Sequence, residues 1–280
     1  MTLAPLRGVT TRTFRLVFAE EIASAGFSEA VTPFVSAAHG VDPLRDRELK
    51  GGEPLPVVPQ FIGKDPAELR RCLKAIRGAG WAMADLNCGC PFPMVRRKGR
   101  GSGLLRNPDL LARMLDAGCE AMGDGMFSAK ARLGVDSPGE LLALMPVLNR
   151  FPLRRLVVHA RTAVQMYSGE CDTAAFERVA AQAAFPVVYN GDAPLSPAGR
   201  GGRETMVGRA FVRSLGAMDN SRELLLRYID ASCAELSGDG PVLGRMKELV
   251  SYWTGSQLWR RLWPAVKMCR TVAELRMLAT

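Results

Sequence analysis

The chain has 280 residues, 48% of them hydrophobic and 23% charged, too apolar for a disordered chain and too evenly spread for membrane spans. Its length suits one α/β barrel with an appendage. Lys and Arg number 37 against 28 Asp and Glu, a net charge of +9, so a polyanionic partner is expected and a membrane is not. Seven irregularly spaced cysteines and no basic-then-apolar leader predict reduced thiols and a cytoplasmic location.

In chain order, β-rich runs recur at residues 3–6, 30–34, 55–62, 82–87, 126–132, 156–160, 186–190 and 205–208. Helical patterns lie between most of them, at 65–79, 107–117 and 137–148. The first two open on Asp65-Pro66 and Asn107-Pro108, a capping side chain followed by a proline at the first helical position. Eight alternating units predict parallel strands closing into a TIM (β/α)8 barrel over residues 1–217. A doubly wound sheet is the rival, but no G-x-G-x-x-G follows the first strand. Only about fourteen residues, Gly- and Arg-rich at 199–203, separate the last two strands, so the seventh crossover helix must be short or absent. Residues 218–280 form a helical domain: a helix over 221–236 capped by Ser221, a break at Gly238-Asp239-Gly240-Pro241, and helices over 243–254 and 256–278. Seven Lys and Arg against two Glu in residues 241–280 put over half the excess charge there.

Ligands of such a barrel sit at the C-terminal ends of its strands, which makes the polar residues ending the runs the candidates. These are Gln60, Asn87 with Cys90, Lys130 with Arg132, His159 with Arg161, Asn190-Gly191-Asp192, and Gly208-Arg209. Cys88-Gly89-Cys90 could be a zinc half-site, but His39 and His159 lack metal-site spacing, so no metal is expected. Cys88 reads as a buried small hydrophobe, whereas Cys90, between Gly and Pro on a turn, reads as the reactive thiol. Lone basic residues on strands more often solvate a rim than catalyse, but Lys130 and His159 converge with Gln60 and Asn87. Strands seven and eight of such barrels often form phosphate sites, and the set as a whole asks for a phosphorylated planar cofactor, which FMN fits.

The ordered motifs Leu3-Ala4-Pro5-Leu6-x-Gly8-Val9-Thr10, Asp85-Leu86-Asn87-Cys88-Gly89-Cys90-Pro91, Ala129-Lys130-Ala131-Arg132-Leu133-Gly134, Val158-His159-Ala160-Arg161-Thr162 and Asn190-Gly191-Asp192 resemble those of the bacterial tRNA-dihydrouridine synthases. The D-L-N-C-G-C-P form and residues 244–252 are most similar to the C-type subfamily. The chain departs from the family pattern at Leu6, Pro33, Ala160 and Ala175.

The resemblance implies an FMN enzyme, reduced by NADPH, that reduces the C5–C6 double bond of a D-loop uridine in tRNA, U16 for a C-type member, as a monomer. Cys90 matches the general acid. Flavin contacts are implied at Pro5, Leu6, Gln60, Lys130, His159, Asn190, Gly191, Asp192, Gly208 and Arg209, with Lys130 at the N1–O2 edge. Substrate contacts are implied at Asn87, Arg96, Arg97, Lys98, Arg100, Arg161, Lys247, Arg260, Arg261 and Arg270. At least two of Trp253, Trp259 and Trp263, at helical spacing, are expected to pack the tail rather than touch RNA. Two other readings are an RNA-binding paralogue without turnover and an FMN barrel for a small substrate, the latter disfavoured by the basic tail.

Overall fold

The computed structural model describes residues 1–196, 198 and 202–280. Ten short strands, β1 (Thr2–Leu3), β2 (Glu29–Val31), β3 (Val35–Ser36), β4 (Val57–Val58), β5 (Gln60–Ile62), β6 (Ala84–Cys88), β7 (Phe127–Arg132), β8 (Leu156–His159), β9 (Val187–Asn190) and β10 (Thr205–Val207), all pair in parallel. β1 pairs with both β10 and β2, β2 with β4, and β5 with β3 and β6. Pro59, which has no N–H to give a ladder, divides β4 from β5 within one run. Joining those two halves, and likewise β2 and β3, returns eight runs and closes the sheet on itself as a barrel.

The pleat sorts side chains into two layers. On β7, Phe127, Ala129 and Ala131 join the main core shared with the outer helices, leaving Ser128, Lys130 and Arg132 to the other face. On β6, Ala84, Leu86 and Cys88 belong to that same outer core, opposite Asp85 and Asn87. A small apolar plug of Ala4, Val31, Val58, Val157, Val188 and Met206 fills the barrel axis. Below it, Arg155 pairs with Glu29 and Glu204, and the Thr2 hydroxyl, with one proton to donate, lies at hydrogen-bond distance from both carboxylates.

The predicted caps hold. Asp65 accepts from the N–H groups of Ala67 and Glu68 at the start of helix Pro66–Gly78, and Asn107 accepts from Leu110 N–H at the start of helix Pro108–Met122. The third helix starts later than expected, at Glu140–Leu148, because the Glu140 carboxylate gathers the backbone N–H groups of Val135, Asp136 and Ser137 into a turn. Among the described residues no helix lies between β9 and β10, as the short connection requires; Gly199, Arg200 and Gly201 of the 199–203 run lie outside the described residues.

The tail is four helices, Ser221–Glu235, Asp239–Trp253, Gln257–Met268 and Val272–Ala279. Ser221 does not cap the first; Asn220 holds that position, and the buried Ser221 hydroxyl accepts from Trp259 Nε1 at 3.1 Å. The segment expected as one helix over 256–278 breaks at residues 269–271, where Thr271 accepts from Glu274 N–H and Glu274 accepts from Arg270 N–H. Thr-Val-Ala-Glu is a capping-box sequence that marks this second start. Trp253 and Trp259 are fully buried, their rings 5.2 Å apart, while Trp263 is half-buried. No helix among the described residues is long and apolar enough to cross a membrane.

Candidate active site

A cavity of about 830 Å³ opens at the C-terminal ends of the strands. Of the predicted site residues, Pro5, Leu6, Asn87, Cys90, Lys130, His159, Asn190, Gly191, Asp192, Gly208 and Arg209 line it. Inward-facing side chains at strand ends necessarily converge when the sheet closes, which is why Pro5 and Arg209, at opposite ends of the barrel sequence, share one cavity.

Asn87 is the hinge of the site. Its Oδ1 accepts from the N–H groups of Gly89 (3.1 Å) and Cys90 (2.9 Å), folding the chain after β6 so that Cys90 faces the cavity. Its Nδ2 donates to Gln60 Oε1 at 2.7 Å, and Gln60 Nε2 donates to Asp85 Oδ2 at 2.8 Å. Gln60 is therefore absent from the cavity wall: it is fully buried one layer below and sets the Asn87 amide. Burial lifts the Asp85 carboxyl to about 6, against the pull of the Gln60 hydrogen bond.

Cys88 and Cys90 face different surroundings, the outer core and the cavity. Burial raises the Cys90 thiol, and the cations Arg7, Arg132 and Lys130 pull it back only in part. The thiol stays protonated. Lys130 Nζ donates to Asn190 Oδ1 at 2.8 Å, and Asn190 Nδ2 donates to Met206 O at 2.8 Å. Desolvation, reinforced by Arg132, brings the Lys130 ammonium down to about 8. His159 is buried among Arg132, Lys130, Arg161 and Arg209; desolvation and those charges hold it well below its ordinary value, so it is neutral. Its Nδ1 is buried without a hydrogen-bond partner among the described residues.

The predicted phosphate end is built from bare backbone and a carboxylate clamp. A Cβ on Gly208 would come 3.0 Å from Ala4 Cβ, and one on Gly191 (φ 111°) would come 2.9 Å from Cys171 Sγ. Asp192, at φ 45°, accepts from Arg161 Nη2 and from Arg209 Nη2, the latter at 2.6 Å. Burial opposes ionisation of Asp192, but the Arg161 hydrogen bond and both guanidinium charges outweigh it and hold the carboxyl low.

Two predicted substrate contacts have other partners. Arg161 is buried, donating to Gly169 O and Asp192, and Lys247 Nζ donates to the carbonyls of Lys267 and Cys269, closing the end of helix Gln257–Met268. Arg96, Arg97, Lys98 and Arg100 sit on the loop beside the cavity mouth rather than in its wall, and Arg260, Arg261 and Arg270 are exposed on the tail away from it.

Arg132, a strand-end candidate from sequence, lines the wall, and so do Tyr167, Glu248 and Tyr252, which the expected site residues do not include. Arg132 donates to the carbonyls of Gly89 (3.0 Å), Thr162 (3.0 Å) and Met166 (2.6 Å), tying the ends of β6 and β8. Its place two residues after Lys130 gives it the same strand face, a signal that period-two reading supplies. Tyr167 stands between the guanidiniums of Arg132 and Arg209, 5.2 and 4.9 Å from its ring centre. Glu248 and Tyr252, four apart on helix Asp239–Trp253, bring the tail to the cavity. Glu248 rests on Gly8 (φ 80°), where any Cβ would lie 2.8 Å from its Oε2. Only the tail's packing, not its sequence, reveals that contact.

The model of the dihydrouridine synthase family matches residues 2–197. A probable tRNA-dihydrouridine synthase of Rhodobacter capsulatus is 33% identical over 196 residues, 68% of this chain and 59% of that protein. A tRNA-dihydrouridine synthase B of Pseudomonas aeruginosa is 33% identical over 193 residues, 69% and 58% of the two chains. The matched region thus spans under three fifths of the length of those two relatives. A tRNA-dihydrouridine(16) synthase of Cupriavidus necator is 31% identical across 94% of this chain and 88% of its own. Among solved structures, morphinone reductase aligns with a TM-score of 0.54 at 10% identity, covering 76% of this chain and 82% of its own. The old yellow enzyme of Trypanosoma cruzi aligns at 0.53 and 10%, covering 76% and 85%. These two likenesses are of fold, both being barrels.

Proposed function

The chain belongs to the dihydrouridine synthase family, and on that premise we propose that it reduces the C5–C6 bond of a tRNA uridine, using FMN and NADPH, as a cytoplasmic monomer. The observation that carries the reading is the Gln60–Asn87–Cys90 relay, which holds a protonated thiol against a cavity large enough for a flavin and a nucleobase. Position 16 is the proposed target, because the Cupriavidus necator tRNA-dihydrouridine(16) synthase matches through the tail as well as the barrel.

The cavity fits FMN on two counts. His159 Nδ1 is a buried polar atom without a partner among the described residues, and Gly191 and Gly208 line the cavity as bare backbone, positions where a Cβ would collide with Cys171 or Ala4. Lys130 and neutral His159 would hold the ring, with Pro5 and Leu6 against it, and Gly191, Gly208 and Arg209 would hold the phosphate, Asp192 fixing the Arg209 fork. Bound there, the flavin would supply the hydride chemistry, with NADPH as the source and uracil C6 as the acceptor.

Cys90 supplies the other half of the reduction, moving its S–H proton to C5 as C6 gains the hydride. Desolvation keeps that proton in place until it is needed, and Arg7, Arg132 and Lys130 stabilise the thiolate left behind. Asn87 fixes the backbone that carries the thiol. Reaching the uracil requires extruding it from the folded tRNA, with its backbone on Arg96, Arg97, Lys98 and Arg100 and, for residues 218–280 acting as the RNA-binding domain, on Arg260, Arg261 and Arg270. Arg161 and Lys247 contribute by holding Asp192 and the end of helix Gln257–Met268. The test is direct: purified protein should release FMN on denaturation, oxidise NADPH and form dihydrouridine at position 16 of a tRNA transcript. Protein that binds tRNA without flavin or dihydrouridine would overturn the reading.

A further inference from the structure

The loop that carries Cys90 also carries an exposed apolar edge that the reaction itself does not use. After Cys90 the chain turns through helix Pro93–Arg96 and folds back on itself. Ser102 donates twice to Cys90 O, from its N–H at 3.2 Å and its hydroxyl at 2.9 Å. A Cβ on Gly101 (φ 57°) would lie 2.7 Å from Cys90 Cβ, and one on Gly103 would lie 2.4 Å from Arg96 O. Residues 90–103 are thus a closed loop, tied at its base and crowded at Gly101 and Gly103.

On this loop Phe92 is 47% and Met94 78% exposed, both at the mouth of the cavity into which Cys90 faces. Exposed apolar surface of this kind, held on a stiff support, marks a contact site. Charge says what kind. Arg96, Arg97, Lys98 and Arg100 follow within six residues, and no acidic side chain occurs from residue 86 through 108. A polyanion with flat apolar faces answers both features at once, and single-stranded nucleic acid is that polymer.

We propose that Phe92 and Met94 form a shelf on which the nucleobases adjoining the target uridine stack, while the following cations take the flanking phosphates. The proposal rests on the tRNA reading above and adds the groups that hold the unstacked neighbours. Because shelf and thiol share one tied loop, a base seated on the shelf fixes the distance of the next base from Cys90. An aromatic face accepts any base, so the shelf supplies affinity and register without sequence choice.

The test uses the flavin-loaded full chain and a tRNA transcript with 2-aminopurine beside the target uridine. Binding should quench the probe through stacking. Phe92→Ala should abolish the quench and weaken binding roughly 5- to 100-fold, Phe92→Trp should restore both, and Met94→Ala should weaken binding in the same sense. The dependence of log K on log salt should keep its slope in all three, since no phosphate contact is lost, whereas Arg97→Ala should lower the slope by about one contact. Wild-type affinity and full quenching in Phe92→Ala would overturn the shelf. So would a change of oligomeric state in Phe92→Ala with tRNA affinity intact, which would assign the edge to a second copy of the chain. Dihydrouridine formation by the wild type is scored separately: its absence with quenching retained would overturn the proposed reaction and leave the shelf standing.

Discussion

Cys88 and Cys90 are two residues apart in a motif where sequence alone distinguishes them only by neighbours, one inside a strand and one between Gly and Pro. The fold widens that difference, seating Cys88 in the outer core and Cys90 at the cavity. Cys90→Ala should therefore lower dihydrouridine formation by roughly 10²–10⁴ while NADPH still reduces the bound flavin, and Cys88→Ala should cost about 1 kcal/mol of stability with turnover nearly unchanged. Equal losses measured in the two half-reactions of both variants would show that the sulfurs share a structural role. Lys130 offers a second check through pH. Its pKa in the folded chain is about 8, below the ordinary 10.5, so between those values the unfolded chain holds a proton that the folded chain has released. Stability from this residue rises with pH across that window and is lowest below pH 8. Relative to wild type, apoprotein Lys130→Met should gain in Tm as the pH falls from 10.5 to 8 and stay level below, while losing flavin retention. A Tm difference flat across the window would contradict the burial of the ammonium. Lys130 and His159 were legible because each ends an apolar run with a polar residue. Arg132, a candidate from the same strand end, was legible in the same way; Tyr167 was not, because its loop meets Arg132 and Arg209 only in the closed barrel.

Elements were read best where a local rule acts within four residues. Asp65-Pro66 and Asn107-Pro108 start helices as expected, and the capping-box sequence at Thr271 starts the last one, Val272–Ala279. Ser221 is not the cap because the helix begins at it, with Asn220 in the cap position and no side-chain capping bond, and the Ser221 hydroxyl is used by Trp259, a partner 38 residues away. The loop at 90–103 belongs to the other class: its glycines are visible in sequence, but which of them is crowded depends on the fold. A Cβ on Gly103 meets the Arg96 carbonyl, whereas one on Gly99 (φ 71°) comes no nearer than 3.9 Å to Lys64 Cδ. Gly103→Ala must shift the backbone that carries the shelf and the thiol, at a cost of about 1–3 kcal/mol, and should raise KM for tRNA at least tenfold. Gly99→Ala carries only the local strain of its φ, and its KM should change far less. Similar KM values for both variants would show that the loop accommodates the added methyl without moving Cys90.

At the scale of the whole molecule, the tail is bound to the barrel by core packing as well as by the chain. Trp253 Nε1 donates to Val212 O at 2.8 Å, a Cβ on Gly216 would strike the Trp253 ring, and Tyr228 packs on Phe14 and Phe18. Removing residues 221–280 would bare this apolar seam, so the truncated chain should aggregate. The tail's proposed contribution to RNA binding is better tested by charge. Its cations, which the sequence totals as one basic excess, divide in the fold: Arg245 is paired with Glu235, Arg276 with Asp230, and Lys247 is spent on two carbonyls. Arg261 and Arg270 are exposed and make no side-chain ion pair among the described residues. Counterion release counts only cations free to replace condensed ions on phosphate, each contributing a slope of about 0.7–0.9 in log K against log salt. The double variant Arg261→Ser/Arg270→Ser should therefore flatten the tRNA salt slope by about 1.5. Arg276→Ser/Asp230→Ser, which removes a neutral pair, should leave the slope where it was. If the two double variants flatten it equally, net charge rather than placement governs binding, and the assignment of Arg261 and Arg270 to phosphate contacts fails.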